Sequence, residues 1–143
     1  MPPRVVLDST ILVSAFLTLG GAADAVLQAA MDERCTCILA DPIGEETTRR
    51  LLDPRLQRRY AYSASDVAAY AALLRSAFLH ITDLPSLTGI VRDPNDDMIL
   101  ASAVAASAAY VVTRDQDLLS LASYEGITMI TPEAFLALLR GNA

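Results

Sequence analysis

Short apolar runs, rich in β-branched residues, alternate along the chain with longer stretches in which apolar residues recur at helical spacing. The three strongest runs are residues 5–7, 37–39 and 110–112, and weaker ones lie at 78–81 and 127–130. Fully apolar strands are typical of parallel sheets that are covered on both faces. We therefore predict a central, mostly parallel sheet of about five strands.

Helical patterns fill the intervals between these strands. They span residues 22–31, 43–52, 64–78, 97–107, 116–124 and 132–139. Strands that alternate with helices form parallel βαβ units, with the helices packed on both faces of the sheet. The pattern predicts a three-layer α/β/α fold. Since no linker, repeat or low-complexity segment interrupts it, we expect one domain over residues 1–143.

Composition excludes several kinds of chemistry. Hydrophobic residues make up 53% of the chain and charged residues 20%, so a core can form without metals or disulfides as staples. All eleven basic residues are arginine, which excludes P-loop ATPases and Schiff-base enzymes because both need a lysine. His80 is the only histidine, so a His-rich zinc site is excluded. The net charge of −6 means that any nucleic-acid contact must be local.

The sequence predicts a cytoplasmic protein without a membrane anchor. Its longest uncharged stretch, residues 98–113, is shorter than the roughly 20 apolar residues that a membrane-spanning helix needs. The N-terminus lacks the pattern of a secretory signal peptide. Cys35 and Cys37, the only cysteines, are interpreted as buried free thiols, which indicates a reducing compartment.

Acidic residues follow the predicted strands or open the helices beside them. They are Asp8 after the first strand, Glu45 and Glu46 after the second, Asp93, Asp96 and Asp97 at a helix start, and Asp115 and Asp117 after 110–112. The carboxyl ends of parallel strands share one edge of a sheet, so carboxylates from four segments should converge there. A hard divalent cation removes the repulsion between them, and such a site suits metal-assisted phosphodiester cleavage.

Helix capping is the competing explanation for some of these residues. Acidic side chains at helix starts are favoured by capping and by the helix dipole alone, so we interpret Asp96 and Glu45 as structural. Asp8 directly follows an apolar strand, where a carboxylate is costly without a partner. Asp8, Asp97 and Asp115 are therefore our candidates for a functional site.

Three motifs in order carry a family resemblance. They are Val6–Thr10, with the apolar run behind it; Asp93–Asp97, followed by Leu100 and Ala101; and Val112–Leu119. Together they resemble the PIN-domain family over nearly the whole chain. Within that family the chain is similar to the VapC-like ribonucleases, which are the toxins of toxin–antitoxin pairs.

The resemblance implies an endoribonuclease that depends on Mg²⁺ or Mn²⁺, cleaves an RNA substrate, is inhibited by an antitoxin protein and forms a homodimer. The catalytic residues would be Asp8, Glu46, Asp97 and Asp115, the metal ligands Asp8, Asp97, Asp115 and Asp117, and the supporting hydroxyl residues Ser9, Thr10 and Thr113. The register leaves Glu45 as an alternative to Glu46. Thr10 stands where the family usually has asparagine, so the alternative is an impaired PIN-like domain that acts as a protein- or RNA-binding module.

Five of the eleven arginines lie close together just after the predicted acidic helix: Arg49, Arg50, Arg55, Arg58 and Arg59. Guanidinium groups match phosphate geometry, so a local basic stripe beside an acidic site could hold an RNA backbone. The same stripe could be a solvated helix face or an anchor for a protein partner. Both interpretations stay open at the level of sequence.

Overall fold

A computed structural model describes residues 2–141 and has a six-stranded sheet at its centre. The strands are β1 (Arg4–Leu7), β2 (Thr36–Ala40), β3 (Leu79–Ile81), β4 (Tyr110–Val112), β5 (Ser123–Tyr124) and β6 (Ile127–Ile130). Their order in the sheet is β3-β2-β1-β4-β6-β5. All neighbours pair in parallel except β5 and β6, which are antiparallel.

The central strand β1 is buried on both faces. Val6 pairs with Ile38 of β2 on one side and with Val111 of β4 on the other. Val5, Val6 and Leu7 are all fully buried, although successive side chains of a strand point to opposite faces. Both faces of the sheet are therefore covered at its centre. The predicted α/β fold with a central, mostly parallel sheet is confirmed.

Within residues 2–141, eight helices connect and cover the strands. They are α1 (Ser9–Leu17), α2 (Ala22–Met31), α3 (Asp41–Leu51), α4 (Pro54–Tyr60), α5 (Ala64–Ala77), α6 (Pro94–Ala105), α7 (Gln116–Leu121) and α8 (Pro132–Gly141). No single helix of residues 2–141 is long and apolar enough to cross a membrane. The pair α1 and α2, bent by 96°, meets the criteria of length and composition only when the two are taken together.

Two of these helices were not predicted from the sequence. Helix α1 carries few polar residues and buries Ile11, Leu12, Val13 and Ala15, so its apolar positions show no clear helical period. Helix α4 has the opposite character, because none of its seven residues is buried. A helix that is apolar or polar on all sides gives no periodic signal, which explains why both were missed.

The predicted helix 116–124 was wrong in its last turn. Helix α7 ends at Leu121, Ala122 takes a positive φ of 63°, and the chain continues into β5. Glu125 and Gly126 both have positive φ, which gives the tight two-residue turn that joins antiparallel strands β5 and β6. This hairpin adds the sixth strand to the five that were expected.

The order of the strands marks the point, between β1 and β4, at which sheets of this kind bind ligands. The chain runs from β1 to β2 and β3 on one side and then crosses back to β4 on the other side of β1. Ligands bind outside the carboxyl ends of strands at such a reversal. The ends of β1 and β4, at Leu7 and Val112, are paired there.

Candidate functional site

Asp8 lies at the end of β1 and begins helix α1. Its Oδ1 accepts a hydrogen bond of 2.9 Å from the Ile11 amide, and its Oδ2 accepts one from the buried Thr113 hydroxyl. The side chain is only 6% exposed. Burial raises the pKa of the Asp8 carboxyl, and the hydrogen bonds from Thr113 and Ile11 oppose that rise. The carboxylate is thus held in a fixed orientation at the reversal of the strand order.

Thr113 links the ends of the two strands. Its Oγ1 donates to Asp8 and accepts a hydrogen bond of 3.0 Å from the Asp115 amide. Asp115 in turn caps helix α7, because its Oδ1 accepts from the amides of Asp117 and Leu118 at 2.9 and 3.2 Å. One oxygen of Asp115 thus holds α7, while the other lies outside this capping arrangement.

Three aspartates in the described part of the chain lie close enough together to share a metal ion. Asp96, Asp115 and Asp117 each place one carboxylate oxygen within 4.8 Å of the others. The Oδ2 atom of Asp96 is buried and has no hydrogen-bond partner among residues 2–141. Burial, and then the negative charges of Asp115, Asp93, Asp8 and Asp117, raise the pKa of Asp96 to about 6.

The structure gives the neighbouring aspartates Asp96 and Asp97 different surroundings. Asp97, proposed from the sequence as a catalytic and metal-binding residue, is buried in the first turn of α6. Both of its oxygens accept backbone hydrogen bonds, Oδ2 from Gly89 at 2.9 Å and Oδ1 from Val91 at 2.7 Å. Asp97 therefore anchors the loop before α6, and Asp96, interpreted from the sequence as structural, faces the site instead.

The acidic residues line a pocket of about 470 Å³ at the carboxyl edge of the sheet. Its lining includes Asp8, Asp96 and Asp115, and α3 contributes both Glu45 and Glu46. Glu46 accepts a hydrogen bond of 3.1 Å from Nε of Arg49 on the same helix. Both glutamates line the pocket, so both remain candidates for the acidic site residue of α3.

The hydroxyl residues after Asp8 also line this pocket, and so do two arginines of α3. Thr10 is exposed, and its Oγ1 accepts a hydrogen bond of 3.0 Å from Nη1 of Arg50. Ser9 is partly buried. The position that departs from the usual asparagine is thus occupied by a side chain with a hydrogen-bond partner.

The predicted basic stripe divides into two parts. Arg49 and Arg50 line the acidic pocket, whereas the other three arginines, Arg55, Arg58 and Arg59, lie on the exposed helix α4 outside it. Arg55 forms an ion pair of 3.0 Å with Asp53, and the Arg59 guanidinium lies 5.4 Å from the centroid of the Tyr60 ring. Only the first two arginines can contact a molecule bound in the pocket itself.

The donor set of the pocket fits a divalent cation. Its converging ligands are carboxylate oxygens, which are the atoms that Mg²⁺ and Mn²⁺ favour. A buried carboxylate oxygen without a partner is costly, and a cation at the Asp96 group would supply that partner. The same cation would offset the repulsion between the three aspartates, of which Asp117 also forms an ion pair of 3.1 Å with Arg92. The residues present are therefore suited to holding a metal ion.

The family relationship rests on the sequence as a whole. The family model of the PIN domain matches residues 4–117, which is most of the chain. The chain belongs to the PIN domain family. Among curated proteins, no sequence matches that of this PIN domain.

Two solved structures resemble this PIN domain in fold. VapBC2 from Rickettsia felis, bound to a DNA fragment from their promoter, matches with a TM-score of 0.63 and 14% identity over 90% of this chain and 98% of that chain. PAE2754 from Pyrobaculum aerophilum matches with a TM-score of 0.62 and 16% identity over 97% of this chain and 90% of that chain. At these identities the likeness concerns the fold.

Proposed function

We propose that this PIN domain is a Mg²⁺- or Mn²⁺-dependent endoribonuclease and the toxin component of a toxin–antitoxin pair. The observation that carries the proposal is the grouping of Asp96, Asp115 and Asp117, with the buried Asp96 Oδ2 lacking a partner, at the reversal of the strand order. A family fold with carboxylates at this edge suits phosphodiester hydrolysis better than chemistry based on lysine, cysteine or histidine, because no such side chain lines the described pocket.

In this proposal Asp8, Asp96, Asp115 and Asp117 would hold the metal, and Glu46 or Glu45 of α3 would be the further acidic residue of the pocket. A bound divalent cation supplies Lewis acidity, which lowers the pKa of a water molecule and stabilises charge on the displaced oxygen. Thr113 orients Asp8, and the amides of α7 fix Asp115, so both carboxylates are in place before the substrate arrives. The arginines at the end of α3 and along α4 give the RNA a basic surface beside the acids.

The antitoxin partner is proposed from the likeness to VapBC2, whose crystal structure is bound to a DNA fragment from their promoter. This chain covers 98% of that matched chain, so the likeness is not confined to a shared fragment. By the same family resemblance we propose a homodimer and a single PIN domain over residues 1–143. A second copy would bring two acidic pockets into one particle.

The test of the proposal is cleavage of a labelled single-stranded RNA by purified protein with Mn²⁺ or Mg²⁺, compared with EDTA. We expect cleavage only with metal and its loss in Asp115→Asn, since asparagine keeps the α7 cap but lacks the charge. A matched control is Asp66→Asn, which changes an exposed residue in the capping box of α5 outside the acidic pocket. An inactive parent, or equal loss of activity in both variants, would contradict the proposal.

A further inference from the structure

Arg50 connects two elements that are distant in sequence. It lies at the end of α3, and its Nη1 reaches the Thr10 hydroxyl in the first turn of α1 at 3.0 Å, across 40 residues of sequence. Both side chains line the pocket that contains Asp8 and Asp96. The hydrogen bond therefore holds a guanidinium group at the wall of the acidic pocket.

Arg50 differs from the nearby Arg49 and Arg55 in the kind of side chain that it contacts. Arg49 pairs with Glu46, and Arg55 pairs with Asp53, each through a carboxylate on its own segment. Their side chains are 72% and 83% exposed. Arg50 is partly buried and forms no ion pair within residues 2–141, because its partner is a neutral hydroxyl.

The geometry leaves most of the Arg50 donors available to a ligand. A guanidinium group carries five N–H donors in a planar fork, and Thr10 accepts from one of them. The fork matches two oxygens of a phosphate group, and such charge-assisted pairs are stronger than neutral hydrogen bonds. An arginine whose only role was to neutralise the aspartates would be expected to pair with one of them directly.

We infer that Arg50, positioned by the Thr10 hydroxyl, binds a backbone phosphate of the RNA substrate within the acidic pocket. The inference rests on the proposed nuclease function and assigns a purpose to Thr10. The Thr10 hydroxyl accepts one hydrogen bond from the guanidinium and keeps that group near the carboxylates. Thr10 is a positioning residue here, and Arg50 is the residue that touches substrate.

The first test separates a phosphate contact from a structural role through the salt dependence of RNA binding. Binding of a fluorescein-labelled single-stranded RNA is measured by anisotropy over a range of KCl concentrations, in an Asp115→Asn background that does not cleave. Each phosphate contact contributes about 0.7 to the slope of log K against log salt for a single strand. We expect Arg50→Gln to weaken binding and to reduce the slope by about this amount.

Arg140→Gln is the matched control, because it removes the same charge from a separate hollow between α2 and α8. It should leave the slope unchanged. A slope for Arg50→Gln equal to that of its background, or an equal decrease in the control, would overturn the inference. Absence of RNA binding by the protein would overturn both the inference and the proposed function, whereas binding without cleavage by the unsubstituted parent would overturn the nuclease proposal alone.

The second test concerns Thr10, whose exposed position allows substitution without repacking of the core. Thr10→Val removes the hydroxyl and keeps the branched shape, and Thr10→Ser keeps the hydroxyl. With Mn²⁺ we expect a KM for RNA several-fold higher in Thr10→Val, with the salt slope retained because the charge of Arg50 remains. Thr10→Ser should restore the KM of the parent. Equal KM values in Thr10→Val and the parent would show that the hydroxyl does not position Arg50.

Discussion

Asp96 and Asp97 offer a sharp test, because the same substitution at neighbouring positions should change stability in opposite directions. Asp96→Asn removes one charge from a group of carboxylates. It replaces a carboxylate whose Oδ2 atom is buried without a partner by a neutral amide. Asp97→Asn replaces one of two oxygens that accept backbone hydrogen bonds from Gly89 and Val91. The two variants have the same net charge and differ only in what each side chain contacts.

The magnitude for Asp96 follows from its pKa. Burial and nearby charges raise it from 3.8 to about 6. At about 1.4 kcal/mol for each pKa unit, the folded state would be destabilised by at most about 3 kcal/mol when Asp96 is ionised. Since the side chain is only partly buried, solvent screening reduces this to about 1–2 kcal/mol. Asp97→Asn should cost about 1–3 kcal/mol, because it leaves a backbone amide without its acceptor.

The assay is urea unfolding of both variants and the parent in EDTA at pH 7, repeated at lower pH. Below pH 3.8, Asp96 is protonated in the folded and unfolded states alike, so its charge costs nothing. Between pH 3.8 and about 6 the unfolded chain releases this proton more readily than the folded protein, so the stability of the parent falls, and above about 6 the loss is complete. The advantage of Asp96→Asn should therefore grow between these two pH values. A destabilised Asp96→Asn, or an Asp97→Asn as stable as the parent, would refute the placement of the two residues.

Three further predictions follow from the site and the fold. Mn²⁺ or Mg²⁺ should raise the melting temperature of the parent, since a ligand at 100 times its Kd adds roughly 2.7 kcal/mol, and Asp115→Asn should diminish the rise. Thr113→Val should lower the free energy of unfolding by about 1–3 kcal/mol, because Asp8 Oδ2 and the Asp115 amide both lose their partner. Gly126→Ala should lower stability by roughly 1–2 kcal/mol, because φ at this position is +81°, while RNA cleavage stays unchanged.

Each of these predictions has its own contradicting result. A melting temperature that does not respond to either metal would count against the carboxylate site. Full stability of Thr113→Val would mean that the hydroxyl is not the link between the ends of β1 and β4. A neutral effect of Gly126→Ala would show that the β5–β6 turn does not need its positive φ.

The sequence predicted those parts of the site that follow buried strands. Asp8 and Asp115 stand directly after or close to apolar runs, and the ends of parallel strands meet at one edge, so their proximity could be reasoned from the pattern alone. Which of Asp96 and Asp97 lines the pocket could not be predicted in this way. Helix α6 buries residues on more than one side, and which of two adjacent carboxylates faces the pocket depends on how the loop around Gly89 folds onto it.

Contacts between distant segments could not be predicted from the sequence pattern either. The stripe of arginines was visible, but the contact of Arg50 with Thr10 joins residues 40 positions apart. It depends on how α3 packs against α1. Helix α1 itself was missed because a uniformly apolar stretch has no period, and β5 was missed because its two residues continue a helical pattern.

The most direct test of the central claim measures Mn²⁺ binding and RNA cleavage on the same preparation of protein. The Mn²⁺ concentration that half-saturates the rise in melting temperature is compared with the concentration that half-saturates the cleavage of single-stranded RNA. If the acidic pocket is the metal-dependent nuclease centre, the two concentrations should coincide, and both responses should be lost in Asp96→Asn. Cleavage that persists in Asp96→Asn would contradict the claim. So would a half-saturating Mn²⁺ concentration for cleavage that differs from the one for the rise in melting temperature.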